Sequence, residues 1–205
     1  MTTSTPTTCS RSSSNGTDLA IVPKSSPGSA IAEVDVTLRD GRSVHLRSLR
    51  AADETELLQT FERLSDAARY MRFMRVIRGP DPERLRAVLA SFPESGIGIV
   101  ATVPAADGID IVGSAIAVFA ADRATCEFAI TVVAEFGGTG LATRLMTTLI
   151  GEAKRRGQKE MEGLVLKQNQ PMLRLAKRLG FSIASEPSDP TVRHCRMTLG
   201  TPSMS

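Results

Sequence analysis

The feature that most constrains this chain is an apolar strand pattern that runs directly into a cluster of glycines. Residues 132–145 read Val-Val-Ala-Glu-Phe-Gly-Gly-Thr-Gly-Leu-Ala-Thr-Arg-Leu, so a strand gives way to three glycines and then to the start of a helix. At such a junction several backbone N–H groups have no intrahelical partner, and the helix dipole adds positive potential. Glycines also let a bulky pyrophosphate approach the main chain. The segment therefore predicts a binding site for a phosphate-bearing ligand.

The composition predicts one folded domain with polar ends. A chain of 205 residues with 41% apolar residues can bury one sizeable core. Residues 1–33 are rich in Ser and Thr and are expected to be disordered, residues 34–199 to form the domain, and residues 200–205 to form a tail. The net charge of +3 is mild, and seven Phe, one Tyr and no Trp offer little surface on which bases could stack. Nucleic-acid binding is therefore not expected.

The cysteines, histidines and apolar runs indicate a reducing compartment without metal chemistry. Cys9, Cys126 and Cys195 are odd in number and lack metal-ligand spacing, which predicts free thiols. His45 and His194 are out of phase with the neighbouring apolar residues, so both are expected at the surface and without a metal ion. No apolar run reaches the roughly 20 residues that span a bilayer, and the N-terminus lacks the apolar core of a secretory signal. We therefore expect a cytoplasmic protein that does not bind a membrane.

Hydrophobic periodicity outlines the remaining elements. Residues 34–46 predict a hairpin closed by an Asp40-Gly41 turn, and Asp53 is the expected N-cap of a helix whose apolar residues extend to Leu64. The other predicted elements are a short helix from about Pro82, an antiparallel meander over residues 97–103, 109–119 and 126–133, a helix from Leu141 to near Gly157, a strand over residues 161–166, a helix from Pro171 to Gly180, and two final strands over residues 181–183 and 192–199.

Two motifs in this order of elements resemble a known superfamily. Gly137-x-x-Gly140-x-Ala142 is similar to Gln/Arg-x-x-Gly-x-Gly/Ala, with Gly137 in place of the usual Gln or Arg, and Asn169 precedes a helix that ends in Gly180-Phe181. Both resemble motifs of the GNAT acyl-CoA-dependent N-acetyltransferases, which the chain resembles over roughly residues 35–199. The resemblance implies an α/β (α+β) fold with a central mixed, mostly antiparallel sheet of about seven strands, splayed between strands 4 and 5 and flanked by about four helices.

The same resemblance implies acetyl-CoA as the acyl donor and no metal ion. The glycine loop would hold the pyrophosphate, and the pantetheine would lie between the splayed strands and pair with the main chain of Ile130 and Val132. Asn169 is expected either to contact the pantetheine arm or to cap its helix, and both roles stay open. The implied donor-binding residues are Ile130, Val132, Gly137, Gly138, Thr139, Gly140, Leu141, Ala142, Thr143 and Asn169.

Acyl transfer to an amine requires a group that removes the proton of the ammonium. Glu127 is the candidate general base, because partial burial in the apolar run 128–130 would raise its pKa towards a useful range, whereas an exposed or salt-bridged edge carboxylate is the alternative. Residues 64–73 and 126–130 are also similar to bacterial protein lysine acetyltransferases that modify acyl-CoA synthetases, in which a Glu at this place deprotonates the target lysine. Ala176 stands where many members carry a Tyr general acid. Cys126 has no visible activating partner, so direct transfer is expected.

The acceptor is the least determined part of the prediction. Arg69, Arg72, Arg75 and Arg78 recur every third residue, and this stripe is expected to be a solvated face rather than an attractor for an acidic surface or a phosphate. Tyr70 is expected to pack half-buried. The main hypothesis is acetylation of a lysine on a protein such as an acyl-CoA synthetase. A small-molecule amine acetyltransferase and a non-catalytic acyl-CoA sensor are the alternatives.

Overall fold

The computed structural model describes residues 31–200 except residues 78, 107 and 123, so residues 1–30 and 201–205, which include most of the predicted polar ends and Cys9, lie outside it. The described residues form one eight-stranded sheet and five α-helices. The strands are β1 (Val34–Thr37), β2 (Ser43–Ser48), β3 (Gly96–Ala105), β4 (Gly108–Phe119), β5 (Thr125–Val132), β6 (Glu160–Leu166), β7 (Ser182–Glu186) and β8 (Asp189–Thr198). The helices are α1 (Glu54–Glu62), α2 (Asp66–Phe73), α3 (Pro82–Ser91), α4 (Leu141–Arg155) and α5 (Gln170–Leu179).

The sheet is mixed and mostly antiparallel, as predicted. Its strand order is β1-β2-β3-β4-β5-β6-β8-β7, and β5–β6 is the parallel pair among the described strands. A parallel pair needs a crossover connection, which α4 supplies. The sheet has eight strands where about seven were expected. The splay expected between strands 4 and 5 lies between β5 and β6, because the first hairpin contributes two strands to the numbering.

The first hairpin has a longer turn than the sequence predicted. β1 and β2 pair up to Thr37 and Ser43, which leaves residues 38–42 as the connection instead of a two-residue Asp-Gly turn. The N–H of Leu38 donates to the carbonyl oxygen of Arg42 at 2.7 Å, and Leu38 itself is buried in the core. The turn therefore begins early because its first residue is needed for packing.

The helical region between β2 and β3 corrects two predictions. A single helix extending to Leu64 is wrong, since α1 ends at Glu62 and a separate α2 follows, in which the Ser65 hydroxyl accepts the N–H of Ala68 at 3.2 Å. This additional helix explains why five helices are present instead of about four. Asp53 precedes α1, but its carboxylate accepts no hydrogen bond from the first turn of this helix and binds Arg47 and the backbone N–H of Arg50 instead. Within the described residues no helix is long and apolar enough to cross a membrane.

Helix α4 packs closely on β3, β4 and β5, and this contact forms the centre of the core. Gly113 of β4 permits the close approach, because a Cβ atom at this position would lie 3.0 Å from Leu145 and 3.2 Å from Leu141. Helices α1 and α2 contact β4 and β5. The fully buried side chains at the centre of the core are Ile97, Ile99, Ala115, Ala117, Leu141, Leu145, Met146 and Leu149.

Candidate active site

Strands β5 and β6 pair over a short stretch and then separate. Their parallel register covers Thr125 to Glu127 on β5 and Glu160 to Glu162 on β6. Beyond this point β5 continues to pair with β4 as far as Val132, and β6 continues to pair with β8 as far as Leu166. A gap therefore opens in the middle of the sheet, lined on one side by the free backbone edge of β5. An extended ligand can add to such an edge by main-chain hydrogen bonds.

Two predicted donor-binding residues, Ile130 and Val132, lie on β5 beside this gap. Both follow the last residue that pairs with β6, and both are half-buried. Their side chains contact the core from the rim of the gap. The structure thus places them where the main chain is available to a ligand.

Glu127 is the last residue of β5 that pairs with β6, and its Cα partner is Glu162. The side chain of Glu127 is exposed, so the expected partial burial is wrong. The reason is strand alternation, because Cys126 and Phe128 take the buried face and Glu127 points to the opposite one. The carboxylate consequently stands in solvent at the vertex from which the two strands diverge.

Helix α2 brings a cation to this carboxylate. Arg72 is half-buried, its Nε atom is enclosed, and no hydrogen-bond partner for Nε exists among the described residues. The guanidinium carbon lies 4.9 Å from the centroid of the Phe73 ring. Burial lowers the pKa of Arg72 to about 10, while the negative charge of Glu127 acts in the opposite direction. Arg72 and Glu127 are thus electrostatic neighbours.

The arginine stripe is not a uniformly solvated face, which corrects the prediction. Arg69 is largely covered, and its guanidinium lies 4.7 Å from the Phe61 ring while it donates to the carbonyl oxygens of Phe61 and Glu62. Arg75 is exposed as expected. Arg78 lies outside the described residues. The threefold spacing did not indicate a single solvated face, because α2 is short and directs the side chains of Arg69 and Arg72 towards neighbouring residues.

Glu162 on β6 carries a second charged cluster that the sequence did not indicate. Its Oε2 atom lies 2.9 Å from His194 Nε2 and accepts from Arg196 Nη2 at 3.2 Å. His194 was expected at the surface but is half-buried against this carboxylate. The cluster forms across β6 and β8, and only their register could have revealed it.

The glycine loop lies at the far end of the gap, between β5 and α4. Gly138 and Gly140 have φ values of +76° and +93°, which favour glycine, whereas Gly137 has φ −62° and an ordinary conformation. The N–H groups of Gly138, Gly140, Ala142 and Thr143 have no acceptor among the described residues. They form a set of free donors at the N-terminus of α4, which is the geometry that an anion requires.

The predicted loop residues Thr139 and Leu141 act differently from these donors. Thr139 is buried, and its hydroxyl donates to the carbonyl oxygen of Phe136 at 2.8 Å, which fixes the loop. The side chain of Leu141 is fully buried in the core, and its N–H reaches the Thr139 hydroxyl at 3.4 Å. These residues therefore shape the loop through its backbone and interior.

Two arginines of the hairpin turn flank the glycine loop, and neither was predicted. The side chain of Arg39 passes over Gly140, where an added Cβ would lie 3.4 Å from its Nε, and Arg42 stacks 3.9 Å from the Phe136 ring. They line a depression of about 400 Å³ with Gly137 and neighbouring loop residues. None of the residues lining it belongs to β5 or β6, so it is the outer flank of the loop and does not reach Glu127. The cations supply positive potential that Gly137 lacks.

Helix α5 begins at Asn169, the remaining predicted donor-binding residue. The Asn169 side-chain oxygen accepts the N–H of Met172 at 3.2 Å, which is the capping role left open by the sequence. Ala176, which replaces the usual Tyr, is fully buried. Tyr70 is 39% exposed, so most of its surface is covered, and a packing role for the single tyrosine stays a prediction.

Cys126 lies beside Glu127 in sequence but on the opposite face of β5. Its side chain is fully buried, and its thiol donates to the carbonyl oxygen of Glu160 at 3.5 Å. Burial raises the pKa of the Cys126 thiol to about 12, so the thiol is protonated at neutral pH. A thiolate nucleophile is absent at this position, as the sequence suggested.

Comparison with known families decides the class of this site. The family model described as an acetyltransferase (GNAT) domain matches residues 43–182. The chain belongs to the GNAT acetyltransferase family. Acetyltransferase PA5475 of Pseudomonas aeruginosa is a relative of this GNAT protein, with 32% identity over 155 residues that cover 76% of this chain and 83% of the relative. The predicted enzyme class and acetyl-CoA as the donor are thereby confirmed.

Solved structures confirm the GNAT fold. The GNAT domain of S. lividans PAT superimposes with a TM-score of 0.73 at 21% identity, covering 81% of this chain and 96% of that domain. YncA of Salmonella typhimurium, solved with its cofactor acetyl-CoA, gives a TM-score of 0.61 at 20% identity, with 78% and 96% covered. A cAMP-binding acyltransferase of Mycobacterium smegmatis gives 0.58 at 24% identity, and the match covers 85% of this chain but 49% of that protein. At these identities the likeness shows the fold alone.

Proposed function

We propose that this GNAT protein transfers the acetyl group of acetyl-CoA directly to a lysine side chain of a protein, such as an acyl-CoA synthetase, with Glu127 as the general base. The observation that carries the proposal is the place of Glu127, which is the residue at which β5 and β6 separate. A donor held in the gap, with its pyrophosphate at the glycine loop, presents its thioester near this vertex. The carboxylate then stands between the reacting carbonyl and solvent.

The proposed binding site for acetyl-CoA consists of backbone groups that have no hydrogen-bond partner among the described residues. The free N–H groups of Gly138, Gly140, Ala142 and Thr143 bind the pyrophosphate, and Arg39 adds positive charge beside them. The backbone edge of β5 at Ile130 and Val132 pairs with the pantetheine as an added strand. Gly137 and Leu141 keep the loop in shape, and Thr139 anchors it.

The chemical step follows from the same geometry. Glu127 accepts a proton from the acceptor ammonium, directly or through water, since the carboxylate is exposed. The free amine attacks the thioester carbonyl, and the carbon–sulfur bond breaks as the carbon–nitrogen bond forms. Since Ala176 provides no acid, the sulfur leaves as a thiolate that solvent protonates, which a thiol pKa of about 8.5 allows.

The test replaces Glu127→Gln, which keeps the shape of the side chain and removes its basicity. We expect kcat/KM for thiol release to fall by roughly 10²- to 10⁴-fold, whereas the Kd for acetyl-CoA, measured by calorimetry, stays within a factor of about two. Glu83→Gln on α3 removes another exposed carboxylate and serves as the matched control. Undiminished activity of Glu127→Gln would show that the base is another group.

A small amine is the second candidate acceptor, and Arg72 is the observation that favours it. An enclosed guanidinium beside the base can recognise part of a small acceptor more directly than a protein surface can. Thiol release measured with an acyl-CoA synthetase and with a panel of small amines separates the two classes. Release on small amines alone would replace the protein acceptor in the proposal.

A further inference from the structure

Among the described residues, the Nε donor of Arg72 on α2 is enclosed without a hydrogen-bond acceptor. Arg72 Nε is enclosed, and the described residues give Arg72 neither a hydrogen bond nor an ion pair, only the ring of Phe73. Arg47 and Arg156 are buried to a similar or greater degree, and both have several hydrogen-bond acceptors. Arg47 binds Asp53 and a carbonyl oxygen, and Arg156 binds a carboxylate and two carbonyl oxygens. An enclosed cationic donor without such partners is prepared for a ligand.

The position of Arg72 relative to the base narrows the ligand. Helix α2, which carries Arg72, contacts β5, which carries Glu127, and the negative charge of Glu127 acts on Arg72. A guanidinium and a carboxylate thus present one positive and one negative group side by side. The pair therefore complements an acceptor that carries both a positive and a negative charge.

We propose that Arg72 binds a carboxylate that the acceptor carries next to its reacting amine, so that the acceptor ammonium faces Glu127 while its carboxylate faces Arg72. This inference rests on the proposed acetyl transfer at Glu127. Guanidinium groups bind carboxylates through two parallel hydrogen bonds, which fixes the orientation of the bound acid. The chemistry is that of a zwitterion, and its source is either a free α-amino acid or a lysine beside an acidic residue in a protein.

Two exposed apolar side chains on the same face of the sheet as Glu127 can contact the aliphatic part of such an acceptor. Val118 is the Cα partner of Glu127 on β4, and Leu164 lies two residues beyond Glu162 on β6, so both share the face of Glu127. Each is 42% exposed, which is high for a large apolar residue in a central strand. An apolar side chain or a lysine stem can cover them.

The test compares matched acids and amides as acceptors in a thiol-release assay with saturating acetyl-CoA. The acceptors are the twenty L-amino acids and their carboxamides, together with the capped peptides Ala-Lys-Glu-Ala and Ala-Lys-Gln-Ala. The protein variants are Arg72→Gln, Arg72→Lys and, as the matched control from the same stripe, the exposed Arg75→Gln. Calorimetry with acetyl-CoA and circular dichroism establish that each variant is folded and binds the donor.

We expect the wild-type protein to prefer at least one acid over its amide by roughly tenfold or more in kcat/KM. Arg72→Gln abolishes this preference mainly through KM, Arg72→Lys retains part of it, and Arg75→Gln leaves it unchanged. A preference among the amino acids identifies a free amino acid as the source, and a preference confined to the peptides identifies a protein. At neutral pH an amino-acid amide has a larger fraction of unprotonated amine than the corresponding acid. A preference for the acids therefore has to come from the protein.

Two results would overturn the proposal, and they differ in what else they affect. Equal turnover of acids and amides, or a preference that survives in Arg72→Gln, removes the carboxylate site and leaves acetyl transfer intact. Bound acetyl-CoA without thiol release on any acceptor removes the proposed function as well.

Discussion

Asp53 is a carboxylate that the fold encloses and surrounds with donors. It accepts from Arg47 Nη1 and Nη2 at 2.8 and 2.7 Å and from the backbone N–H of Arg50 at 2.8 Å. Hydrogen bonding to Asp53 raises the pKa of Arg47, which remains charged at any ordinary pH. The pair fixes the entrance to α1, and with it the helical region that borders Glu127.

Removing one partner of this buried ion pair is expected to lower the free energy of unfolding more than removing one partner of an exposed ion pair. Asp53→Ala leaves Arg47 enclosed and unpaired, so we expect the free energy of unfolding to fall by about 3–5 kcal/mol. Urea titration followed by circular dichroism measures this loss.

The control for Asp53 is Arg86→Ala, which breaks an ion pair with Glu54 in which Arg86 is largely exposed. Its expected cost is about 1 kcal/mol or less. Equal losses in both variants would mean that the burial of Asp53 contributes nothing.

Among the elements, α4 ends in a charged turn that joins it to the start of β3. Glu152 is buried and accepts from Arg155 and Arg156, and Arg156 also donates to the carbonyl oxygens of Pro93 and Gly96. Burial by itself raises the pKa of Glu152, but the hydrogen bonds from the two arginines outweigh it, and the pKa lies below its usual value. The folded state thus favours the ionised carboxylate.

A lowered pKa in the folded state makes the contribution of Glu152 depend on pH. The stabilisation is fully present above the unfolded pKa of about 4.3 and is lost as the pH falls through the lower, folded value. We expect Glu152→Gln to reduce the free energy of unfolding by about 1.5–3 kcal/mol at pH 7 and by progressively less between pH 4 and pH 2. Urea titrations across this range test the trend, and Lys154→Gln in the same turn should show no such dependence.

Two substitutions of Asn169, at the start of α5, distinguish a helix-capping role from a role in binding acetyl-CoA. Asn169→Ala removes the hydrogen bond to the Met172 N–H and should lower the free energy of unfolding by about 1 kcal/mol. Asn169→Asp retains a capping oxygen but loses the amide donor. If Asp restores both stability and acetyl-CoA affinity, Asn169 acts as a cap alone. If it restores stability but affinity stays low, the amide also contacts the donor.

Elements that are defined by interactions between residues close in sequence could be predicted, and elements that depend on contacts between distant residues could not. The meander, the glycine turn before α4 and the Asn169 cap could be predicted, since strand alternation and helix capping are local. The break between α1 and α2 and the pairing of Asp53 with Arg47 could not. Both depend on side chains that meet only after the chain has folded.

For the whole molecule, the fold was predictable and the surroundings of the acceptor were not. The glycine motif and the order of elements point to one architecture, so the position of Glu127 at the strand separation could be anticipated. Its exposure, the approach of Arg72 from α2 and the Glu162–His194 contact across β6 and β8 could not, because each depends on pairing distant segments. A single sequence carries no signal of such pairing.

A backbone hydrogen bond fastens the outermost hairpin of the sheet to the glycine loop. The N–H of Arg39 donates to the carbonyl oxygen of Thr139 at 3.1 Å. If acetyl-CoA orders this loop, the hairpin turn must become less mobile as well, even where it touches no ligand.

Hydrogen–deuterium exchange measures this link. We expect acetyl-CoA to slow exchange at the Arg39 and Gly41 amides along with those of the loop, while Ile183 in β7, at the other edge of the sheet, keeps its rate. Slower exchange in the loop alone would show that the two are uncoupled. The outer edge of the sheet thus becomes a sensor of donor occupancy, and an optical label placed there could follow binding without disturbing the reacting groups.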